Sequence, residues 1–154
     1  MTTSEDVLVR TGEENDAAAL TEFNIAMALE TENKMLTFEV VSNGVQTLLK
    51  NPEYGFYVIA EKSGEIAGAL MVTTEWSDWR DGEFWWVQSV YVRRDCRRQG
   101  IYRRLYEYIK AKAVERGNVC GFRLYVECDN AVAQQAYSKL GMSETFYKMF
   151  EELV

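Results

Sequence analysis

Six of the chain's 17 lysines and arginines fall between Arg93 and Arg104, inside the run Val87-Gln-Ser-Val-Tyr-Val-Arg-Arg-Asp-Cys-Arg-Arg-Gln-Gly-Ile-Tyr-Arg-Arg-Leu105. Their chemistry is anion binding. An apolar stretch leads into a basic turn with a single glycine, Gly100, and a helical pattern follows. A helix N-terminus presents backbone N–H groups without partners, backed by a dipole worth about half a positive charge, so phosphate settles there readily. Gly100 lets a ligand approach the backbone because it has no side chain. Arg97 and Arg98 before it, and Arg103 and Arg104 after it, add donors suited to phosphate oxygens.

The rest of the chain is acidic: 17 Lys and Arg stand against 24 Asp and Glu, a net charge of −7. A general nucleic-acid surface would spread positive charge over a face, so the balance argues against one. It suits a small polyanion at one spot and a cationic substrate elsewhere. With no histidine, imidazole-dependent triads and His-ligated metals are excluded. Cys96, Cys120 and Cys128 lack metal-type spacing and fit a reducing cytoplasm; Cys96, among arginines, is read either as a reactive thiol or as a loop cysteine. The start, Met1-Thr-Thr-Ser-Glu-Asp, has no hydrophobic leader, and no run has the length of a membrane span.

These residues need a scaffold, and its elements are legible as one mixed α/β domain. Val7 to Val9 reads as a strand. A helix capped by Asn15 or Asp16 follows, with Ala19, Leu20, Phe23, Ala26 and Met27 inward, and a second runs from Thr37 to Lys50 before Asn51-Pro52. Strands are expected over Tyr54 to Glu61, Ile66 to Thr74 and Glu83 to Val92. The helix after the basic turn repeats Ile101, Leu105, Ile109 and Ala113 and ends near Gly117. A strand over Phe122 to Glu127, a helix from Asn130 to Leu140 and a short strand over Phe146 to Phe150 complete the pattern. On the last helix Ala133, Ala136, Tyr137 and Leu140 form one stripe, with Tyr137 inward.

The order and separation of two segments resemble the GNAT superfamily of acetyl-CoA-dependent N-acetyltransferases. Arg97-Arg-Gln-Gly100-Ile101-Tyr102 matches its turn after a strand, and Asn130, Ala133, Tyr137, Lys139 and Gly141 match its later helix, with Met142 in place of phenylalanine. The resemblance spans residues 5 to 151 and implies a single domain over 5–152. It also implies a mostly antiparallel sheet whose fourth and fifth strands are parallel and splay apart, in the order strand, two helices, three strands, helix, strand, helix, strand. It implies acetyl-CoA as cofactor. The amides of Gln99, Gly100, Ile101, Tyr102 and Arg103, with Arg97 and Arg98 alongside, would hold the pyrophosphate. Val90, Tyr91 and Val92 would pair with the pantetheine arm, Asn130 and Ala133 would hold its far end, and Tyr137 would face the sulfur as general acid.

The implied reaction is direct attack of a primary amine on the thioester in a ternary complex. Freeing a neutral alkylamine of pKa about 10.4 costs roughly 4.6 kcal/mol at pH 7, so a base or a water relay is wanted. Protonating a thiolate from a tyrosine is uphill by about 2 kcal/mol. Amides near Val90 would stabilise the oxyanion. Two departures stand out: Tyr102 replaces a small residue, and Gln88 occupies a position where many members carry a glutamate base. Glu83, Glu127 and Glu30 are the alternative carboxylates, with water-mediated deprotonation preferred. For the acceptor, a small-molecule or peptide amine, the expected wall includes Glu30, Trp85, Gln88 and Glu127, with Glu32, Glu75, Asp78 and Trp86 nearby. No nucleic acid, membrane or metal is expected, and a homodimer is left open. The competing readings are a CoA-binding regulatory domain without turnover and a nucleic-acid module using Arg93 to Arg104.

Overall fold

Alternating apolar residues along four consecutive strands build an antiparallel meander, and a fifth strand joins it in parallel. The computed structural model describes residues 6–154; residues 1–5, which include the expected leader-free start and the expected first residue of the domain, lie outside the described residues. The elements are β1 (Val7–Thr11), α1 (Ala17–Glu32), α2 (Phe38–Lys50), β2 (Phe56–Lys62), β3 (Glu65–Ser77), β4 (Gly82–Val92), α3 (Ile101–Arg116), β5 (Val119–Arg123) and α4 (Ala131–Lys139). The sheet runs in the order β1-β2-β3-β4-β5. Every pair is antiparallel except β4 with β5.

Both faces of the sheet are covered. On one, the α3 stripe Ile101, Leu105, Ile109 and Ala113 packs with Val58, Leu70, Val72, Trp85 and Val87. On the other, Leu20 of α1 and Val45 of α2 pack on Tyr57, Ile59 and Ala69. Completely burying an aliphatic side chain contributes about 1.5–3 kcal/mol, so these two layers set the sheet between its helices firmly. Among the described residues no helix is long and apolar enough to cross a membrane.

Two expected strands need correction. The last parallel strand is Val119–Arg123, not Phe122 to Glu127, because its ladder with β4 runs from Glu83↔Val119 to Trp86↔Arg123 and then stops. The apolar alternation of Leu124 and Val126 continues past the point where the backbone leaves the sheet. The expected sixth strand, Phe146 to Phe150, does not form: residues Ser143 to Val154 are all exposed and make no ladder. On α4, Ala133, Tyr137 and Leu140 are half-buried as the stripe requires, but Ala136 is exposed. On α1 the fully buried positions are Leu20, Thr21 and Ala28.

Candidate functional site

One extra residue in β4 organises the site. Ala69 faces Tyr91 and Met71 faces Gln88, so Ser89 and Val90 together oppose Leu70. Ser89 adopts φ +52°, the left-handed region that most side chains avoid. This bulge bends the strand and switches its faces. Before it, Trp85 and Val87 lie against α3; after it, Val90 and Val92 do, while Tyr91 turns to α1 and meets the Phe23 ring at a tilt, 4.9 Å between centroids. Because β5 has already left at Arg123, β4 reaches Val92 without a parallel neighbour, which is the splay the resemblance implies.

Beyond Val92 a 3-10 turn, Arg94–Cys96, leads to the start of α3. Arg98 (φ +62°) and Gly100 (φ +75°) are both left-handed, and together they reverse the chain into the helix. Gly100 is the N-cap and supplies no side chain to cap the first N–H groups of α3. A Cβ built on it would meet nothing within 4 Å. The first N–H groups of α3 thus take no cap from the residue before them, and the space beside Gly100 is open.

Most of the arginines here already have partners. Arg93 pairs with Asp95 at 2.5 Å and Glu65 at 3.2 Å, and Arg103 with Glu107 at 3.1 Å. Arg104 donates to the carbonyl of Val7 in β1 at 2.8 Å, which turns one end of its guanidinium to the sheet edge opposite β5. Arg97 donates to the Val92 carbonyl at 2.8 Å and to Glu30 at 2.7 Å. Lys62 donates to the Gln99 side chain, which in turn donates to the Asp95 carbonyl. Arg98 is exposed.

Glu30 was expected at the acceptor wall or as a base. Instead it accepts from Arg94 at 3.1 Å, Arg97 at 2.7 Å and the Tyr91 hydroxyl at 3.1 Å. Partial burial alone would raise its pKa, but the hydrogen bonds from Arg97 and Tyr91 and the charge of both arginines bring it below the ordinary carboxylate range. A carboxylate so held is a poor base at neutral pH. Beside it, Glu30, Thr31, Glu127, Asp129 and Asn130 line an open cavity of about 350 Å³. Glu127 thus shares a wall with Glu30.

The other expected wall residues separate. Trp85 is 3 % exposed and packs edge-on against Phe56 and Phe122, so it belongs to the core and not to an acceptor surface. Glu83, a base candidate, sits where β4 and β5 are still paired and binds Arg116 at 3.5 Å, away from the splay. Glu75 is tied to Arg123 and to the Trp86 indole. Gln88 lies on the α1 face and donates to the Thr73 hydroxyl at 2.7 Å. Cys96 is buried in the α3 core, which removes the reactive-thiol reading.

At the start of α4 the Asn130 side chain accepts the Ala133 N–H at 3.2 Å, a helix cap that orders this turn. Farther along, Tyr137 meets Tyr102 edge-to-face at 5.5 Å, and Tyr102 stacks on Tyr106. This ring cluster ties α4 to the first turn of α3. Burial raises the pKa of the Tyr137 phenol. The Tyr102 hydroxyl is buried without a hydrogen-bond partner in the described structure, an unmet donor and acceptor beside the open helix start. Sequence reading noted Tyr102 as a departure but missed this orphaned hydroxyl, the Ser89 bulge and the Glu30 clamp; no local signal marks the latter two.

The comparisons agree with this geometry. The model of the acetyltransferase (GNAT) family matches residues 21–142. A possible acetyltransferase from Clostridium difficile 630 is 39% identical, with TM-score 0.90, over 97% of this chain and 99% of that one. A predicted acetyltransferase with acetyl-CoA from Clostridium acetobutylicum shares the fold at TM-score 0.78 and 16% identity, over 95% and 96% of the two chains. An aminoglycoside acetyltransferase from an uncultured soil metagenomic sample, in complex with sisomicin, does so at TM-score 0.77 and 16% identity, over 97% of both. None of the curated proteins matches the chain. With its splayed parallel strands, its glycine turn and a family match over most of its length, this chain belongs to the GNAT acetyltransferases and is an acyltransferase.

Proposed function

We propose that the chain moves the acetyl group of acetyl-CoA to a primary amine by direct attack in a ternary complex. The observation that carries this reading is the opening beyond Trp86 and Arg123, where β4 continues alone past its bulge towards the uncapped start of α3. The residues suit the cofactor: open space at Gly100 admits a pyrophosphate to the backbone, and the buried Tyr102 hydroxyl awaits a polar partner. The N–H groups of Gln99 to Arg103 and the Arg98 side chain would hold the phosphates. Val90 to Val92 would offer backbone to the pantetheine arm, and Asn130 and Ala133 would border its far end.

When bound, acetyl-CoA supplies an acetyl group already activated as a thioester. The chain's own part is to bind, polarise and manage protons. The Val90 N–H is the donor we assign to the developing negative charge. Tyr137, kept protonated by its burial, is the proton donor. Gln88 is neutral and Glu30 is held by arginines, so we assign the amine's proton to water. Carboxylates of Glu127 and Asp129 at the shared cavity favour a cationic acceptor. One structural neighbour is an aminoglycoside acetyltransferase in complex with sisomicin, which is compatible with an amine acceptor here. We place the protein in the cytoplasm, where three free cysteines stay reduced.

Calorimetric titration with acetyl-CoA tests this, repeated with Gly100→Leu. Micromolar binding that disappears in the variant supports the reading, as does thiol release that depends on an added amine. Tight binding without turnover on a broad amine panel would point to a regulatory domain. No binding by the intact protein would overturn the cofactor assignment.

A further inference from the structure

One buried phenol stands outside the chemistry assigned so far. Tyr102 sits in the first turn of α3, where its hydroxyl is closed off from solvent and has no hydrogen-bond partner among the described residues. A buried hydroxyl left unpaired costs stability, and it calls for a state of the protein in which a partner is present. The ring itself is firmly placed. It stacks on Tyr106 at 6.1 Å between centroids, and Tyr106, 5 % exposed, meets Phe122 of β5 edge-on at 5.6 Å. Its other neighbour is Tyr137 of α4, edge-to-face at 5.5 Å. Since α4 has no fully buried residue, Tyr137 depends on this wall for its placement.

We propose that Tyr102 is a positioning residue for acid catalysis: it fixes the Tyr137 ring and turns its own hydroxyl to the Tyr137 oxygen when that oxygen becomes negative. The inference rests on the acetyl-transfer reading and on Tyr137 as its proton donor. In that step Tyr137 gives its proton to the departing sulfur, so an S–H bond replaces an O–H bond and a phenolate is left behind. Solvent returns the proton after the product leaves, and the amine's own protons pass to water. Burial leaves such a phenolate short of water, and a hydrogen bond to an ion is about twice as strong as one between neutral groups. Tyr102 supplies that donor, although in the resting structure the two phenols share no hydrogen bond. The pair also has a fixed order of ionisation. Burial first, then the charges of Tyr137 and Tyr106, hold the Tyr102 phenol far above the ordinary tyrosine range, whereas burial alone raises Tyr137. Lys110, over the Tyr106 ring at 4.9 Å, is the cation nearest in this stack, and β5 contributes only the apolar Phe122 to it. Tyr102 therefore keeps its proton when Tyr137 has lost its own. A small residue at this position supplies neither the ring nor the hydroxyl.

Tyr102→Phe keeps the ring and removes the hydroxyl. Thiol release from acetyl-CoA, with a polyamine, an aminoglycoside or a short peptide as acceptor, should show kcat about tenfold lower and KM for acetyl-CoA unchanged. The same change made in Tyr137→Phe should lower kcat no further. Two readouts need no turnover. The thermal midpoint of the ligand-free protein should stay equal or rise in Tyr102→Phe, since a partnerless hydroxyl has been removed. In carbon-13 spectra of ring-labelled tyrosine, with the Tyr137 signal assigned by its loss in Tyr137→Phe, the Tyr137 phenol should titrate at higher pH once Tyr102 is replaced. Full kcat in Tyr102→Phe overturns the proposal, as does a loss that repeats in the Tyr137→Phe background, a lower ligand-free midpoint or an unmoved Tyr137 titration. A parent protein that neither binds acetyl-CoA nor acetylates an amine overturns the acetyl-transfer reading and this inference with it, whereas normal parent turnover with an unaffected Tyr102→Phe removes this inference alone.

Discussion

Glu30 and Arg97, 67 positions apart, meet at 2.7 Å, so the end of α1 is fastened to the turn that opens α3. Arg97 also donates from its Nε to the Val92 carbonyl. Arg97 is thus neutralised by the chain itself, and a phosphate arriving there must compete with a carboxylate.

Replacing Glu30 with Gln should free Arg97 and strengthen CoA binding by up to about fivefold, the scale of a partly exposed ion pair. Titration of both proteins with CoA at matched ionic strength measures this. Weaker binding by the variant would mean that Glu30 serves to order the turn, and that its competition with the ligand is negligible.

Changing Tyr137 to Phe should lower kcat about 10²-fold while leaving KM for acetyl-CoA nearly unchanged, as expected for a group that acts in the transition state. Burial raises the phenol's pKa, so the donor stays protonated as pH climbs through the ordinary tyrosine range. The alkaline fall in turnover should therefore come above about pH 10. Full turnover in the variant across this range would move the general acid elsewhere.

Stability at low pH should report on Asp16. Its carboxylate is 5 % exposed and accepts both Arg10 nitrogens at 2.8 Å. The Arg10 hydrogen bonds lower its pKa against the opposing effect of burial, and the Glu13 N–H adds to them. A carboxylate lowered on folding contributes stability above its unfolded pKa, near 3.9, and that contribution is lost as pH falls through the folded value. Asp16→Asn should cost roughly 2–4 kcal/mol at neutral pH in urea unfolding. The gap between variant and parent should shrink on acidification; a constant gap would assign the cost to packing.

What could be read in advance follows a physical line. The Ile101, Leu105, Ile109, Ala113 stripe is local and periodic, and all four are buried as expected. Gly100 was legible as the point where the backbone lies open to a ligand, while the left-handed turn it makes with Arg98 was not. β5 was displaced because two overlapping windows both alternate, and only the pairing with Glu83 to Trp86 chooses between them. Trp85 and Trp86 are adjacent and chemically alike, yet one is core and the other reaches Glu75, a difference set by strand phase. The Glu30 clamp joins segments that only the folded sheet brings together. Phe146 to Phe150 has the aromatic composition of a strand, but composition alone does not supply a neighbouring strand to pair with.

The bulge at Ser89 makes the length of β4 a coded quantity. Removing Ser89 alone would leave Val90 as the single partner of Leu70 and erase the bend, whereas one residue more or less anywhere else near it would send every side chain beyond to the opposite face. In that second case Val90 and Val92 would be handed to α1, and Tyr91 would be pressed into the packed layer beneath α3. Insertions should therefore be absorbed readily in the exposed turn between Ser77 and Gly82 and poorly within a few residues of Ser89, so the strand's tolerance to length change maps where its task passes from building the core to presenting its backbone.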